Sequence, residues 1–177
     1  MLREGHVGVS LLLYAPFGFL LVMYASIELA VIVGAVVLLG GSAPDYDTKT
    51  RLVKHRGFTH TVWFSVIFGA IITVAAYYVP QVFGFADFYS LTTPEVALVG
   101  LAGSFGVMTH LAGDVITPMG IRPFDPISPR GIIPFSLSEK KYCYKLAKAS
   151  DKTANWLAMV LGTGASGVAI QAALIFG

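Results

Sequence analysis

Charge is what this sequence has least of. Only 12% of its 177 residues are charged while 55% are hydrophobic, and the mean hydropathy is +0.73. A soluble domain carries charge on about a quarter of its residues, so the shortage excludes an ordinary soluble fold and assigns the chain to a bilayer. Cysteine is almost missing as well. Cys143 stands alone, which rules out an intramolecular disulfide, a four-cysteine zinc site and a CxxC redox pair. Twelve basic against ten acidic residues leave a net charge of +2, too small an excess to recruit nucleic acid, and none is expected as a partner.

Long apolar runs are what the sequence does have. Five of them cover residues 7–24, 27–41, 61–79, 94–116 and 156–176. A membrane-crossing helix takes about 20 such residues, so the reading is an all-α membrane protein, a bundle of about five transmembrane helices forming one domain over 1–177. Its longest connection is a loop over 117–155. The first run lacks a small-residue cleavage site and reads as a retained span, not a removed signal peptide. Only Ser26 and Glu28 interrupt the first two runs, which therefore form a tight hairpin. The second run is short: about 15 residues reach roughly 22 Å at 1.5 Å per residue. Polar structure therefore begins inside the membrane boundary, at Ser42-Ala43-Pro44-Asp45-Tyr46-Asp47, where Pro44 ends the helix.

Basic residues orient the bundle, because they collect in cytoplasmic loops. Arg3 precedes the first run. Lys49, Arg51, Lys54 and Arg56 lie between the second and third. Arg122, Arg130, Lys140, Lys141, Lys145, Lys148 and Lys152 lie between the fourth and fifth. With five spans these regions share one face, and they hold all twelve lysines and arginines; the other face has Glu28, Asp87 and Glu95 and no basic residue. The N-terminus is thus expected in the cytoplasm and the C-terminus outside, in a cytoplasmic (inner) membrane. Within the long loop, Pro118, Pro123, Pro126, Pro129 and Pro134 favour an extended segment. Ser136 to Glu139 then fits a capping box opening a basic helix suited to an anionic leaflet.

The four histidines, His6, His55, His60 and His110, all fall at the cytoplasmic boundary in this topology, beside Asp45, Asp47 and Asp114. His110 and Asp114 are the firmest pair. Four residues apart on a helix, they sit about 40° from each other on one face, a chelating spacing, and Gly106 and Ala102 continue that face with small residues that admit a neighbouring helix. Ionisable groups inside a membrane helix are costly and generally functional; the alternative is a hydrogen bond that only fixes packing. His55 and His60 are five apart and cannot share a helical face, so Gly57 is expected to turn the chain and Thr59 to cap the third span. Asp45 and Asp47 meet the negative end of the second helix, an unfavourable place for carboxylates unless a cation or Arg56 is near. Imidazoles and carboxylates without thiolate suit zinc, manganese, iron or nickel better than magnesium. His6, Asp45, Asp47, His60, His110 and Asp114 are enough for one ion with supporting partners, or for two. Two other motifs are discounted. Gly162-Thr163-Gly164-Ala165-Ser166-Gly167 matches GxGxxG, but no strand precedes it and close helix packing explains it better. Ser104 lies in an incomplete nucleophile elbow in the middle of a helix.

Gly5-His6, the P-D-Y-D of residues 44–47, the H-R-G-F-T-H-T of 55–61 and the T-H-L-A-G-D-V-I-T-P-M-G of 109–120 together resemble the YdjM-like family of inner-membrane proteins, described as metal-dependent hydrolases. The resemblance runs in order over residues 4–120. It implies a membrane-bound hydrolase, with family motif positions at His6, Asp45, Asp47, His55, Arg56, Thr59, His60, His110, Asp114 and Thr117. On this basis the expected activity is hydrolysis of a phosphoester or ester of a lipid or membrane-associated substrate. One or two divalent ions, zinc or manganese foremost, would be held by Asp45, His60, His110 and Asp114, with His6 beside them. His55 or Asp47 would carry the proton, Arg56 would offset negative charge, and Arg56, Thr59 and Thr117 would contact substrate. A metal-binding sensor, scaffold or transporter without catalysis is the alternative, though the outer halves of the spans lack the polar residues of an ion path. The glycines of the last span offer a surface for a homodimer.

Overall fold

The computed structural model describes residues 2–49, 57–84, 90–117, 120–125 and 151–176. Among these residues there are five α-helices: α1 Arg3–Tyr24, α2 Ile27–Ser42, α3 Val62–Val82, α4 Thr93–Val115 and α5 Lys152–Phe176. A 3₁₀ helix, Ala43–Lys49, prolongs α2, and a short 3₁₀ turn, Phe58–His60, leads into α3. All five are long and apolar enough to cross a membrane, α2 when counted together with its 3₁₀ extension to Asp47. That extension makes up the length the second apolar run lacks.

Helix starts follow local chemistry more closely than hydropathy. Ser26 caps α2 by accepting from the Leu29 amide at 3.1 Å, and Thr92 with Glu95 forms a capping box on α4. Asp151 accepts from the Thr153 and Ala154 amides, so α5 opens at Lys152, a turn before its apolar run. Likewise α1 opens at Arg3, where the amides of Gly5 and His6 bond to the Leu2 carbonyl, and His6 is drawn into the helix. For α3 the cap is Thr61, whose hydroxyl oxygen accepts from the Phe64 amide at 3.2 Å. This corrects the expectation of Thr59, which is pulled into the preceding 3₁₀ turn.

α4 is the central helix, with α1, α2 and α3 packed around it. Glycine permits the closest approach: a Cβ on Gly106 would lie 2.3 Å from the Val37 carbonyl oxygen, so α2 and α4 touch backbone to backbone. Tyr14, Leu29, Val33, Val37, Val99 and Ala102 form the apolar core between α1, α2 and α4, and the Tyr14 hydroxyl donates to the Ala30 carbonyl. Among the described elements α5 packs chiefly against α1, with Gly162 set against Gly8. After α4, Gly120 adopts a positive φ of 57° and turns the chain back onto α3. There the Pro123 carbonyl accepts from Val62 at 2.8 Å and the Phe124 carbonyl from the Trp63 indole, and Ile121 is buried among Val107, Leu111, Phe64 and Phe68. The start of α1, the end of α2, the start of α3 and the end of α4 thus meet at one end of the bundle.

Candidate metal centre

Four elements each bring one part of the site to that end. The first turn of α1 supplies His6, and α4 supplies His110 and Asp114 from one face. Pro44 cannot donate to a continuing α-helix, and the chain after it tightens into the 3₁₀ helix, in which residues two apart turn about 240°. Asp45 and Asp47 therefore leave on different sides. Asp45 reaches toward His110 and His60, while Asp47 goes behind His60. The 3₁₀ turn before α3 supplies His60.

Four atoms converge. His60 Nε2 lies 3.3 Å from His110 Nε2 and 3.4 Å from Asp114 Oδ2; His110 Nε2 lies 3.7 Å from Asp114 Oδ2 and 3.6 Å from Asp45 Oδ1; and Asp45 Oδ1 lies 3.9 Å from His60 Nε2. Ligands around a tetrahedral ion at bond lengths of about 2.0–2.2 Å stand roughly 3.3–3.6 Å apart, and these five edges are close to that figure. His60, His110 and Asp114 are almost fully buried, whereas the Asp45 side chain is 38% exposed. Asp45 is the most exposed of the four among the described residues.

Partners of the other ring nitrogens decide what the converging nitrogens can do. His110 Nδ1 lies 2.7 Å from the Gly41 carbonyl, which can only accept, so the proton sits on Nδ1. Thr59 donates its hydroxyl proton to Asp47 Oδ2 at 2.7 Å, leaving its oxygen to accept from His60 Nδ1 at 3.1 Å; Asp47 Oδ2 is itself 3.4 Å from that nitrogen. Both neutral rings consequently present Nε2 as a lone pair toward two carboxylates. Two ring nitrogens and two carboxylate oxygens facing one point form a donor set that would attract a cation placed there. The outer arrangement, imidazole backed by a carbonyl or a carboxylate, is the one that orients metal-binding histidines. Two overlapping groups of ligand atoms could hold an ion, one of His60, His110 and Asp114 and one of His6, Asp45 and His110.

The structure thus brings His6, Asp45, Asp47, His60, His110 and Asp114 together. Asp47, expected as a proton carrier, lies on the far side of the His60 ring from the converging atoms. Thr59, expected at the substrate, links Asp47 to His60. Thr117 is buried, and its hydroxyl donates to the Asp114 carbonyl at 2.8 Å, fixing the end of α4. His55, Arg56 and the expected basic helix after Ser136 lie outside the described residues. Three contributors were not among the expected site residues: the Gly41 carbonyl, the Ser10–Thr109 hydroxyl pair at 2.7 Å, and Asn155. Asn155 is buried and its side-chain oxygen accepts from the Leu2 amide at 3.0 Å, tying the start of α5 to the start of α1. Ser104 donates to the Ser65 carbonyl at 2.9 Å and serves helix packing.

The family model described as YdjM inner membrane protein matches residues 1–175, well past the motifs that end at residue 120. No curated protein and no solved structure matches the chain.

Proposed function

The chain belongs to the YdjM inner membrane protein family, and from that premise we propose that it is a metal-dependent hydrolase acting on a phosphoester or ester of a lipid or membrane-associated substrate. The observation that carries the reading is the convergence of two imidazole lone pairs and two carboxylates at one buried point. Asp45, His60, His110 and Asp114 would hold a divalent transition ion, zinc or manganese, with His6 alongside. Such an ion supplies two things to hydrolysis: it makes a water acidic enough to act near neutral pH, and it draws charge from the oxygen of the bond being broken.

The remaining work falls to the chain itself. Thr59 and Asp47 hold the proton on His60 Nδ1 and keep that ring from rotating, as the Gly41 carbonyl does for His110. Asp47 is therefore a positioning residue. From the motif, Arg56 would face the negative charge that develops on an anionic substrate, and His55 would take or return a proton. The partly exposed side of Asp45 gives substrate its approach. Further along the bundle, beyond the buried Ser10–Thr109 pair, Tyr14, Phe17, Leu98 and Phe105 help line a separate apolar cavity of about 280 Å³ between α1, α2 and α4. All lysines and arginines of the sequence fall at the site end of the spans, which supports a site facing the cytoplasm.

The test is metal analysis of the purified protein beside a hydrolysis screen over phospholipids, lipid phosphates and simple phosphodiesters. Bound metal with turnover that disappears in folded Asp114→Ala and His110→Ala proteins supports the proposal. Bound metal with no turnover after exchange among zinc, manganese, iron and nickel would turn the assignment to a metal-binding protein without catalysis.

A further inference from the structure

Resting on that reading, we infer that the centre holds two divalent ions, bridged by Asp114, with His6 as the terminal ligand of the second. Asp114 divides its carboxylate between two histidine groups. Its Oδ2 faces His60 and His110 at 3.4 and 3.7 Å, and its Oδ1 faces His6 Nε2 at 3.5 Å. A carboxylate with different imidazoles on its two oxygens is the arrangement of a bridge.

The rings repeat the message. His6 and His110 stack with centroids 3.8 Å apart and planes 9° from parallel. Both bring Nε2 within 3.5–3.7 Å of the same carboxylate, so two ions bound by them would lie in nearly parallel ring planes, an arrangement that accommodates the roughly 3.5–4 Å spacing of two-metal hydrolytic centres. His110 belongs to both groups of ligand atoms and has one lone pair for metal, so in a two-ion centre only the ion beside His60 takes it. The ion beside His6 must then be completed by carboxylate oxygens, from Asp114 Oδ1 and from Asp45, whose oxygen lies within 4.8 Å of ligand atoms of both His6 and His110.

His6 is otherwise hard to account for. It is 2% exposed, and its Nδ1 has no hydrogen-bond partner among the described residues, a burial that is unfavourable unless the ring serves another purpose. Lacking the outer partner that fixes His60 and His110, it makes the weaker ligand. The two positions also differ in openness. With both carboxylates, Asp114 and Asp45, shared between the ions, the first ion also has His60 and His110 and is closed by four protein ligands, as structural sites are, while the second also has only His6 and keeps room for water and substrate, as catalytic sites do. The second ion is the one that meets the exposed face of Asp45.

The experiment is equilibrium dialysis of metal-stripped protein, in nanodiscs of zwitterionic lipid, against saturating Mn²⁺, with the metal retained over empty discs counted and its electron paramagnetic resonance recorded. Two manganese per chain with an exchange-coupled spectrum is expected for the native protein. His6→Ala is expected to lose one of the two and show an isolated ion, and Asp114→Asn to lose both. One manganese per native chain with an isolated-ion spectrum would overturn the two-ion centre and leave the hydrolase reading standing; none would remove both. Two coupled ions retained in His6→Ala would show that His6 is not the second ion's ligand. If either variant fails to fold, the count and spectrum of the native protein alone decide.

Discussion

α4 and α5 are built from similar material, long apolar helices rich in glycine, and they occupy opposite positions. In α4, 61% of the most apolar window is buried, against 11% in α5. Gly106 of α4 lies against the backbone of α2, whereas Gly164 and Gly167 of α5 would meet nothing within 4 Å if given a side chain. Apolar content does not separate them. What does is the polar load: α4 carries Thr109, His110 and Asp114 on its buried faces, and these must be surrounded by protein because lipid cannot solvate them. The site therefore determines which helix is central. α5 is held instead to α1, through Gly8 and Gly162, the Leu2–Asn155 bond and a 3.2 Å bond from Ser166 to the Leu11 carbonyl.

Substitutions sharpen this contrast in order of effect. Asp114→Ala is expected to be the most severe, abolishing hydrolysis and weakening metal binding by more than about 100-fold, the upper end for loss of a mere outer partner; metal content and turnover of the folded variant check it. Gly106→Leu comes next. Its side chain would enter the space of the Val37 carbonyl and the Gly40 backbone, separating α2 from α4 at a cost of about 3 kcal/mol or more, read as a lower unfolding temperature in detergent. Since α2 carries the Gly41 carbonyl and Asp45, metal affinity should fall with it. Thr59→Val removes the link between Asp47 and His60 Nδ1 and should weaken metal binding by about 10–100-fold with little change in thermal stability; an equal loss of stability would mean that Thr59 is a packing residue. Gly164→Leu is expected to do least, within about 0.5 kcal/mol, with metal content unchanged. A large loss there would show that the free face of α5 is covered, and sedimentation of the same protein would reveal whether a second copy covers it.

The amino-acid pattern announced five spans because bilayer thickness sets one length scale for apolar runs. The helices begin ahead of the apolar runs where polar side chains enter the helix, at Glu4 and His6 in α1 and at Lys152 in α5. His110 and Asp114 were legible because i, i+4 spacing fixes their common face. Asp45 and His60 were legible through topology, which puts loop ends together without setting distances, and through the family resemblance, which singled them out. Thr59 was misread as a cap because Thr61 competes for the same role two residues on, and the choice depends on a bond to Asp47 across the site. The Gly41 carbonyl was invisible, as any backbone group is, since no residue type marks it. Asn155 gave no hint either: its partner is the backbone amide of Leu2, 153 positions away.

The central claim is that the buried histidine and aspartate atoms bind a divalent transition ion. X-ray absorption at the zinc edge on the zinc-loaded protein tests it most directly. The account predicts a nitrogen and oxygen shell at about 2.0–2.2 Å, with outer scattering from imidazole that diminishes in His110→Ala. Zinc that washes out on dialysis, or a shell without imidazole that is unchanged in His110→Ala, would contradict it.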